Sequence, residues 1–197
     1  NDGAGGTVSD TIIVTVLPVN DAPTLADIVD QSVNEDAAFT ATAVGSDVDI
    51  GDELSYSLTT YPAGMVIDSS TGVITWTPTN ADVGLWLVTV MVSDLAGESA
   101  TDSFFLTVNN TNDAPVLDQL LPDVEFHEDG FINNVFDLDN YFSDIDNATL
   151  TYTCTGNASV EVTINLDGTV DFTALANWTG SEVITFTAND GADGTVS

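Results

Sequence analysis

Aspartate and asparagine residues return at matching places along this chain, and their oxygen atoms define the chemistry it could do. Asn20 and Asp21 recur as Asn112 and Asp113, Asp47 and Asp49 as Asp144 and Asp146, and Asp94 as Asp190. All stand in breaks between apolar runs and offer hard oxygen donors. Calcium takes about six to eight such oxygens from carboxylates, amides, backbone carbonyls and water. Magnesium prefers a tighter octahedron with retained waters, and zinc wants nitrogen or sulfur ligands. With one His and one Cys in the chain, calcium is the best chemical match.

The rest of the composition agrees. Thirty-two Asp and Glu, no Lys and no Arg give a net charge of −32 over 197 residues. No carboxylate can pair with a Lys or Arg side chain of this chain, so each must be hydrated, hydrogen-bonded or neutralised by an outside cation. The charge argues against nucleic acid or an anionic membrane surface as partner. Acidic disordered chains lack apolar residues, whereas 43% of this one is hydrophobic, with three Trp and nine Phe. No apolar run approaches the roughly 18 residues of a membrane-spanning helix, and nothing at the amino end reads as a signal peptide. Cys154 lies in an alternating run and is expected as a small core residue rather than a nucleophile.

The elements that must position these oxygens emerge from self-comparison. Besides the acidic pairs, Ala22-Pro23 recurs as Ala114-Pro115, Glu35-Asp36 as Glu128-Asp129, Gly72 as Gly168 and Gly84 as Gly180. The chain therefore holds two copies of a unit of about 90 residues. Residues 1–9 read NDGAGGTVS and residues 189–197 read NDGADGTVS, and Asp2 precedes Asn20 as Asp94 precedes Asn112. Residues 1–20 are thus expected to be the last strand of a preceding repeat, 21–111 a first β-sandwich, and 112–197 a second sandwich lacking its final strand. Runs such as Thr11–Leu17, Leu54–Leu58, Trp86–Val92 and Phe104–Val108 are short, β-branched or aromatic, and bounded by turn residues. About seven such runs per unit, with no helical period, predict an all-β tandem of sandwiches.

The stretches Ile67 to Thr75 and Val88 to Asp94, with the linker Asn112 to Pro115, resemble the cadherin repeat. Pro62 to Met65, Thr71-Gly72 and Trp76 to Pro78 are closer still to the dystroglycan-type cadherin-like and putative Ig-like repeats of large bacterial surface adhesins. Asn177 to Gly180 and Ala188 to Gly191 resemble a sister variant. The resemblance implies Ig-like, cadherin-like Greek-key sandwiches and a calcium cluster at the amino-terminal pole of each. One cluster would hold Asn20, Asp21, Asp47, Asp49 and Asp94, the other Asn112, Asp113, Asp144, Asp146 and Asp190. The family also brings a Glu from the preceding domain, which makes Glu35 a ligand of the second cluster and Glu128 the counterpart for a further linker. Pro18 and Asn110 stand where the family's linker usually begins with Asp, and Thr79 to Asp82 replace its Asp-Arg-Glu element. About one or two ions per junction are expected from this thinner ligand set.

The expected function is a calcium-stiffened spacer in a repetitive extracellular adhesin, with calcium and neighbouring repeats as partners. Two alternatives stay open. One is a self-assembling filament joined head to tail by strand donation; the other is a glycan- or protein-binding module, in which Trp76, Trp86 and Trp178 could stack on sugars, although core packing suits large aromatics better. No enzyme is expected. Glycoside hydrolysis needs two acids in a cleft with pKa values driven apart, and His127 has no nucleophile motif around it. Asp10 and Asp102 recur near strand starts and are read as surface charge; Asp139, Asp167 and Asp171 are read as solvated turn residues.

Overall fold

The computed structural model describes residues 3–5, 7–192 and 194–197; Asp2, used above as a repeat marker, lies outside them. The chain divides into two compact units, residues 1–109 and 110–197. Among the described residues there is no α-helix, only strands and two 3-10 turns, Asn80–Asp82 and Leu138–Asn140.

The first unit contains β1 (Thr24–Leu25), β2 (Gln31–Asn34), β3 (Phe39–Thr42), β4 (Gly45–Ser46), β5 (Ser55–Thr60), β6 (Val66–Ile67), β7 (Val73–Trp76), β8 (Gly84–Ser93) and β9 (Ser99–Asn109). One sheet has the order β2-β9-β8-β5 and the other β3-β7-β6, with β1 pairing β4. Because side chains alternate along a strand, Val88, Val90 and Val92 of β8 and Phe104, Leu106 and Val108 of β9 all point inward, each 2% exposed or less. They meet Phe39, Ile74 and Trp76 from the facing sheet. This is the two-layer sandwich expected from the sequence. The β8–β9 hairpin runs in register from Gly84↔Val108 to Ser93↔Ser99, and β2 lies parallel to β9, with Val33 opposite Val108.

The second unit contains β10 (Val116–Leu117), β11 (Phe131–Ile132), β12 (Phe142–Ser143), β13 (Thr151–Thr155), β14 (Val160–Ile164), β15 (Val170–Ala174), β16 (Thr185–Asn189) and β17 (Thr195–Val196). The orders β13-β16-β17 and β11-β15-β14 face each other, and β10 pairs β12. Its core is aromatic. Phe136 meets Tyr141, Phe172 and Phe186 edge to face, at centroid distances of 5.7, 6.0 and 5.7 Å.

Several recurring residues find their reason here. Gly72 takes φ +70, and a Cβ there would strike the Ala43 carbonyl and crowd the Tyr56 ring at 3.2 Å; Gly168 takes φ +79. Asp36 and Asp129, the second members of the recurring Glu-Asp pairs, adopt φ 56 and 59, a left-handed conformation that Asp tolerates better than most residues. Pro23 and Pro115 are buried, so each anchors the start of its unit. Trp76 and Trp86 pack edge to face at 6.3 Å and donate their indole N–H groups to Ala63 O and Asp82 O. Half-buried Cys154 packs against the core of its unit, and burial pushes its thiol pKa up, away from the reactive thiolate.

One sequence expectation needs adjusting. Asp102 is no mere surface charge, since its Oδ2 accepts the Ile28 N–H at 2.6 Å and ties the start of the unit to β9. The run Thr11–Leu17 alternates as a strand should but pairs with nothing among the described residues.

Candidate metal centres at the unit poles

The first cluster gathers at the end of unit 1 where β1, the loop after β4 and the β8–β9 turn meet. Asp47 opens that loop, and its Oδ1 accepts the Asp49 N–H at 2.8 Å, a side-chain turn typical of Asp. The turn aims Asp49 back at the incoming chain, and Asp49 Oδ2 accepts the Asp21 N–H at 2.8 Å. Asp94 closes the other side. Its Oδ1 accepts the N–H groups of Gly97 and Glu98 at 2.6 and 2.8 Å, and its Oδ2 accepts Asn20 Nδ2 at 2.9 Å. Asn20, Asp21, Asp47, Asp49 and Asp94 are thus joined in one network.

The second unit repeats the main bonds of this arrangement. Asp144 Oδ1 accepts the Asp146 N–H at 2.8 Å, Asp146 Oδ2 accepts the Asp113 N–H at 2.6 Å, and Asp190 Oδ2 accepts Asn112 Nδ2 at 2.7 Å. Asp190 Oδ1 takes the N–H groups of Ala192 and Gly194 at 2.7 and 3.0 Å. Asn147 joins through its N–H to Asp144 Oδ1.

In both units the other oxygen of the leading Asp, Oδ2 of Asp47 and of Asp144, is buried without a hydrogen-bond partner. A buried carboxylate oxygen without a donor carries its full desolvation cost. With no Lys or Arg in the chain, the compensation open to it is a water or a cation. The donor set of carboxylates and amides suits calcium, so the residues fit the ion that the sequence suggests. Asn20 and Asn112 turn their amide N–H groups toward Asp94 and Asp190; to serve as ligands through their side chains they would rotate to present oxygen.

Asp52 belongs to the first cluster although the sequence reading passed over it. Carboxylate oxygens of Asp47, Asp49 and Asp52 lie within 4.8 Å of one another. Burial, then Asp47, Asp49 and Asp94, push the Asp52 pKa up, as crowded like charges must. The spacing from Asp49 to Asp52 was visible, but Thr149 stands at the matching place in the second copy. Selection by recurrence therefore discards it. Glu35 follows β2 and donates its N–H to Asn109 O at 3.0 Å, which puts it at the end of unit 1 where the chain leaves β9. Glu128 is exposed.

Asp94 and Asp190 both have lowered pKa values, chiefly through the Asn20 and Asn112 amides and then through turn N–H groups. A lowered folded pKa contributes stability above the unfolded value of about 4, and that contribution is lost as pH falls through the folded value. Both units should therefore lose stability on acidification below about pH 4. In chelator, Asn112→Ala should flatten the acid limb of unit 2 alone when thermal unfolding is followed against pH by circular dichroism.

Residues 22–109 match the family model described as Putative Ig domain, and residues 112–197 match the one described as Bacterial Ig domain. Mouse cadherin-23 EC22-24 is 17% identical, with a TM-score of 0.56, over 88% of this chain and 62% of its own. Protocadherin Gamma B2 extracellular cadherin domains 3-6 are 13% identical at 0.54, over 88% and 45%. An endo-fucoidan hydrolase from glycoside hydrolase family 107 aligns with 92% of this chain, but over 28% of its own length and at a TM-score of 0.44, too low to bear on function. The chain spans less than two thirds of each of these structures. No curated protein matches it.

Proposed function

Because the chain belongs to the Ig-like repeat families, a Putative Ig domain followed by a Bacterial Ig domain on a fold shared with cadherins, we propose that it is a calcium-stiffened spacer segment of an extracellular adhesin. Domains of this type are typical of extracellular, non-catalytic proteins, and no described helix is long and apolar enough to cross a membrane. One observation carries the calcium reading: the buried, unpartnered oxygens of Asp47 and Asp144 stand at the same place in both units. Asn20, Asp21, Asp47, Asp49, Asp52 and Asp94 would hold the ion in unit 1. Asn112, Asp113, Asp144, Asp146 and Asp190 would hold it in unit 2, with Glu35 as the ligand that the family resemblance adds.

The bound ion supplies positive charge that crosslinks the residues before Pro23 or Pro115 to the loop and turn of the same unit. Without that charge, the clustered carboxylates repel one another and loosen the pole. Fixing the pole fixes how the chain enters the unit, and a spacer needs that stiffness to project whatever it carries. Titration calorimetry in metal-free buffer tests the reading directly. Saturable calcium binding, stronger than magnesium binding and weakened by Glu35→Gln, is the expected result. Absence of binding at millimolar calcium rules it out.

A further inference from the structure

The two units differ on the outer face of one sheet. In unit 2 the strands β11, β15 and β14 lie side by side, and Ile132, Phe172, Val162 and Ile164 turn from them into the core. Neighbours along a strand point to opposite faces, so Phe131, Asn133, Asp171, Thr173, Glu161 and Thr163 face outward. The registers set them in rows: Phe131, Thr173 and Glu161 lie across the three strands in one, and Asp171 and Thr163 lie in the next. The shift that takes Gly72 to Gly168 lays Val73 and Thr75 of unit 1 on Thr169 and Asp171. Unit 1 therefore lacks the polar pair that β15 brings to this face.

Toward the β14–β15 turn the face sinks into an open basin of about 590 Å³, within the roughly 300–1,000 Å³ of small-ligand clefts. Its walls are Asn133, Asn134, Asn165, Asp167, Thr169 and Asp171, with exposed Leu166. Both carboxylates already have donors. Asp171 accepts the Asn134 N–H at 2.7 Å and Asn165 Nδ2 at 3.1 Å, and Asp167 Oδ1 accepts the Thr169 N–H at 3.2 Å and its hydroxyl at 2.7 Å. The second hydrogen of Asn165 Nδ2 goes to Thr169 Oγ1 at 3.1 Å, which leaves the Asn165 carbonyl oxygen as an acceptor. Asn133 and Asn134 are exposed, and each amide offers two donors and an acceptor. The walls are thus held by their own bonds, and what they present outward is amide chemistry.

We infer that this face of unit 2 binds a neutral oligosaccharide, with Phe131 under one sugar ring and the amides of the basin on the hydroxyls of the next. Sugar hydroxyls both donate and accept, as do the Asn133 and Asn134 amides. Sugar rings also carry C–H faces that an aromatic ring can cover. Phe131 is 68% exposed and stands two residues before Asn133 on the same face, about 7 Å along the strand. The three Trp that the sequence offered for stacking are instead packed into the cores. With a net charge of −32 and no Lys or Arg, the chain repels sulfated, phosphorylated or sialylated sugars. A protein partner would need an apolar or aromatic centre to the patch, whereas these walls are amides, carboxylates and a hydroxyl around Leu166. The site uses no metal and stands independently of the calcium reading.

An array of neutral oligosaccharides, with sulfated and sialylated glycans beside them, tests this on the full chain in chelator. Neutral glycans should retain the chain and anionic ones should not. Titration calorimetry with the best-retained neutral oligosaccharide then locates the site. Phe131→Ser should raise the dissociation constant roughly tenfold through loss of the ring contact, and Asn133→Ala about two- to tenfold through loss of a hydrogen bond. Thr75→Ala, on the matching face of unit 1, should leave it unchanged. All three positions are exposed, and an unchanged melting curve by circular dichroism confirms that each variant is folded. The inference is overturned if no neutral oligosaccharide binds at millimolar concentration, if only anionic glycans bind, or if Phe131→Ser and Asn133→Ala both leave the affinity as it was. Binding that appears only in calcium and is lost in Asp144→Asn places the ligand at the pole and overturns it as well.

Discussion

Replacing Asp144 by Asn raises the melting temperature of unit 2 in chelator and removes its response to calcium. The two effects have opposite signs and one cause. Asp144 Oδ1 serves the N–H groups of Asp146 and Asn147, a task that the Asn carbonyl oxygen can keep. Oδ2 is buried without a partner, and an amide N–H2 in its place can donate to the surrounding carboxylates. Removing an unsatisfied buried group is worth about 1–3 kcal/mol, or some 4–8 °C per kcal/mol for a domain of this size. In calcium at about a hundredfold its dissociation constant, the unsubstituted unit gains about 2.7 kcal/mol, and the variant gains little. The stability curves of the two proteins therefore cross as calcium is added. Asp47→Asn should do the same in unit 1. Differential scanning calorimetry decides it; a variant destabilised in chelator would mean that Oδ2 is compensated by some other group.

Phe136→Ala, by contrast, should unfold half of the chain with no regard to calcium. Phe136 is 8% exposed and stacks edge to face on three rings, so its loss removes apolar burial and leaves a cavity that the fixed rings cannot fill. Such truncations cost about 3–5 kcal/mol, a large share of the roughly 5–15 kcal/mol that holds a domain folded. The expected result is a two-step melt in which unit 2 falls by ten degrees or more and the unit 1 transition stays in place. A single shared transition at lower temperature would contradict the independence of the two cores.

Recurrence carried the sequence reading far because it reports positions held by chemistry rather than by surface chance. The Asn-Asp, Asp-x-Asp and turn Asp residues of each copy do meet at one pole, through hydrogen bonds that match between the units. Recurrence failed where the copies differ or where one feature has two causes. Asp52 has no twin because Thr149 replaces it. Asp102 has a twin in Asp10, yet its bond to Ile28 depends on the approach of a segment 74 residues away, which no local pattern reveals. In the Glu-Asp pairs, one residue recurs for its backbone conformation, so pairing alone could not say which of the two is a ligand. The all-β sandwich was legible from alternation and turn spacing. Alternation in Thr11–Leu17 defines an inner and an outer face but names no neighbour, so it could not say whether that run pairs.

The acidity that first suggests calcium also exceeds what two clusters need, and much of it is spent in local turns. Asp68 is one case: its Oδ1 accepts the Ser70 hydroxyl and the N–H groups of Ser70 and Thr71. These bonds, the Ser70 hydroxyl first, lower its pKa to about 2. Asp137 and Asp167 accept turn N–H groups in the same way, and Asp139 accepts the Tyr152 hydroxyl at 2.6 Å. Charge alone therefore does not locate a site in this chain. What Asp47 and Asp144 share, at matching places in the two units, is a buried oxygen with no donor.

Small-angle scattering in calcium and then in chelator tests the spacer account most directly. The account predicts a well-defined maximum dimension in calcium, and in chelator a broader distribution of distances together with a lower melting temperature. Unchanged dimensions and an unchanged melting temperature on chelation would contradict it.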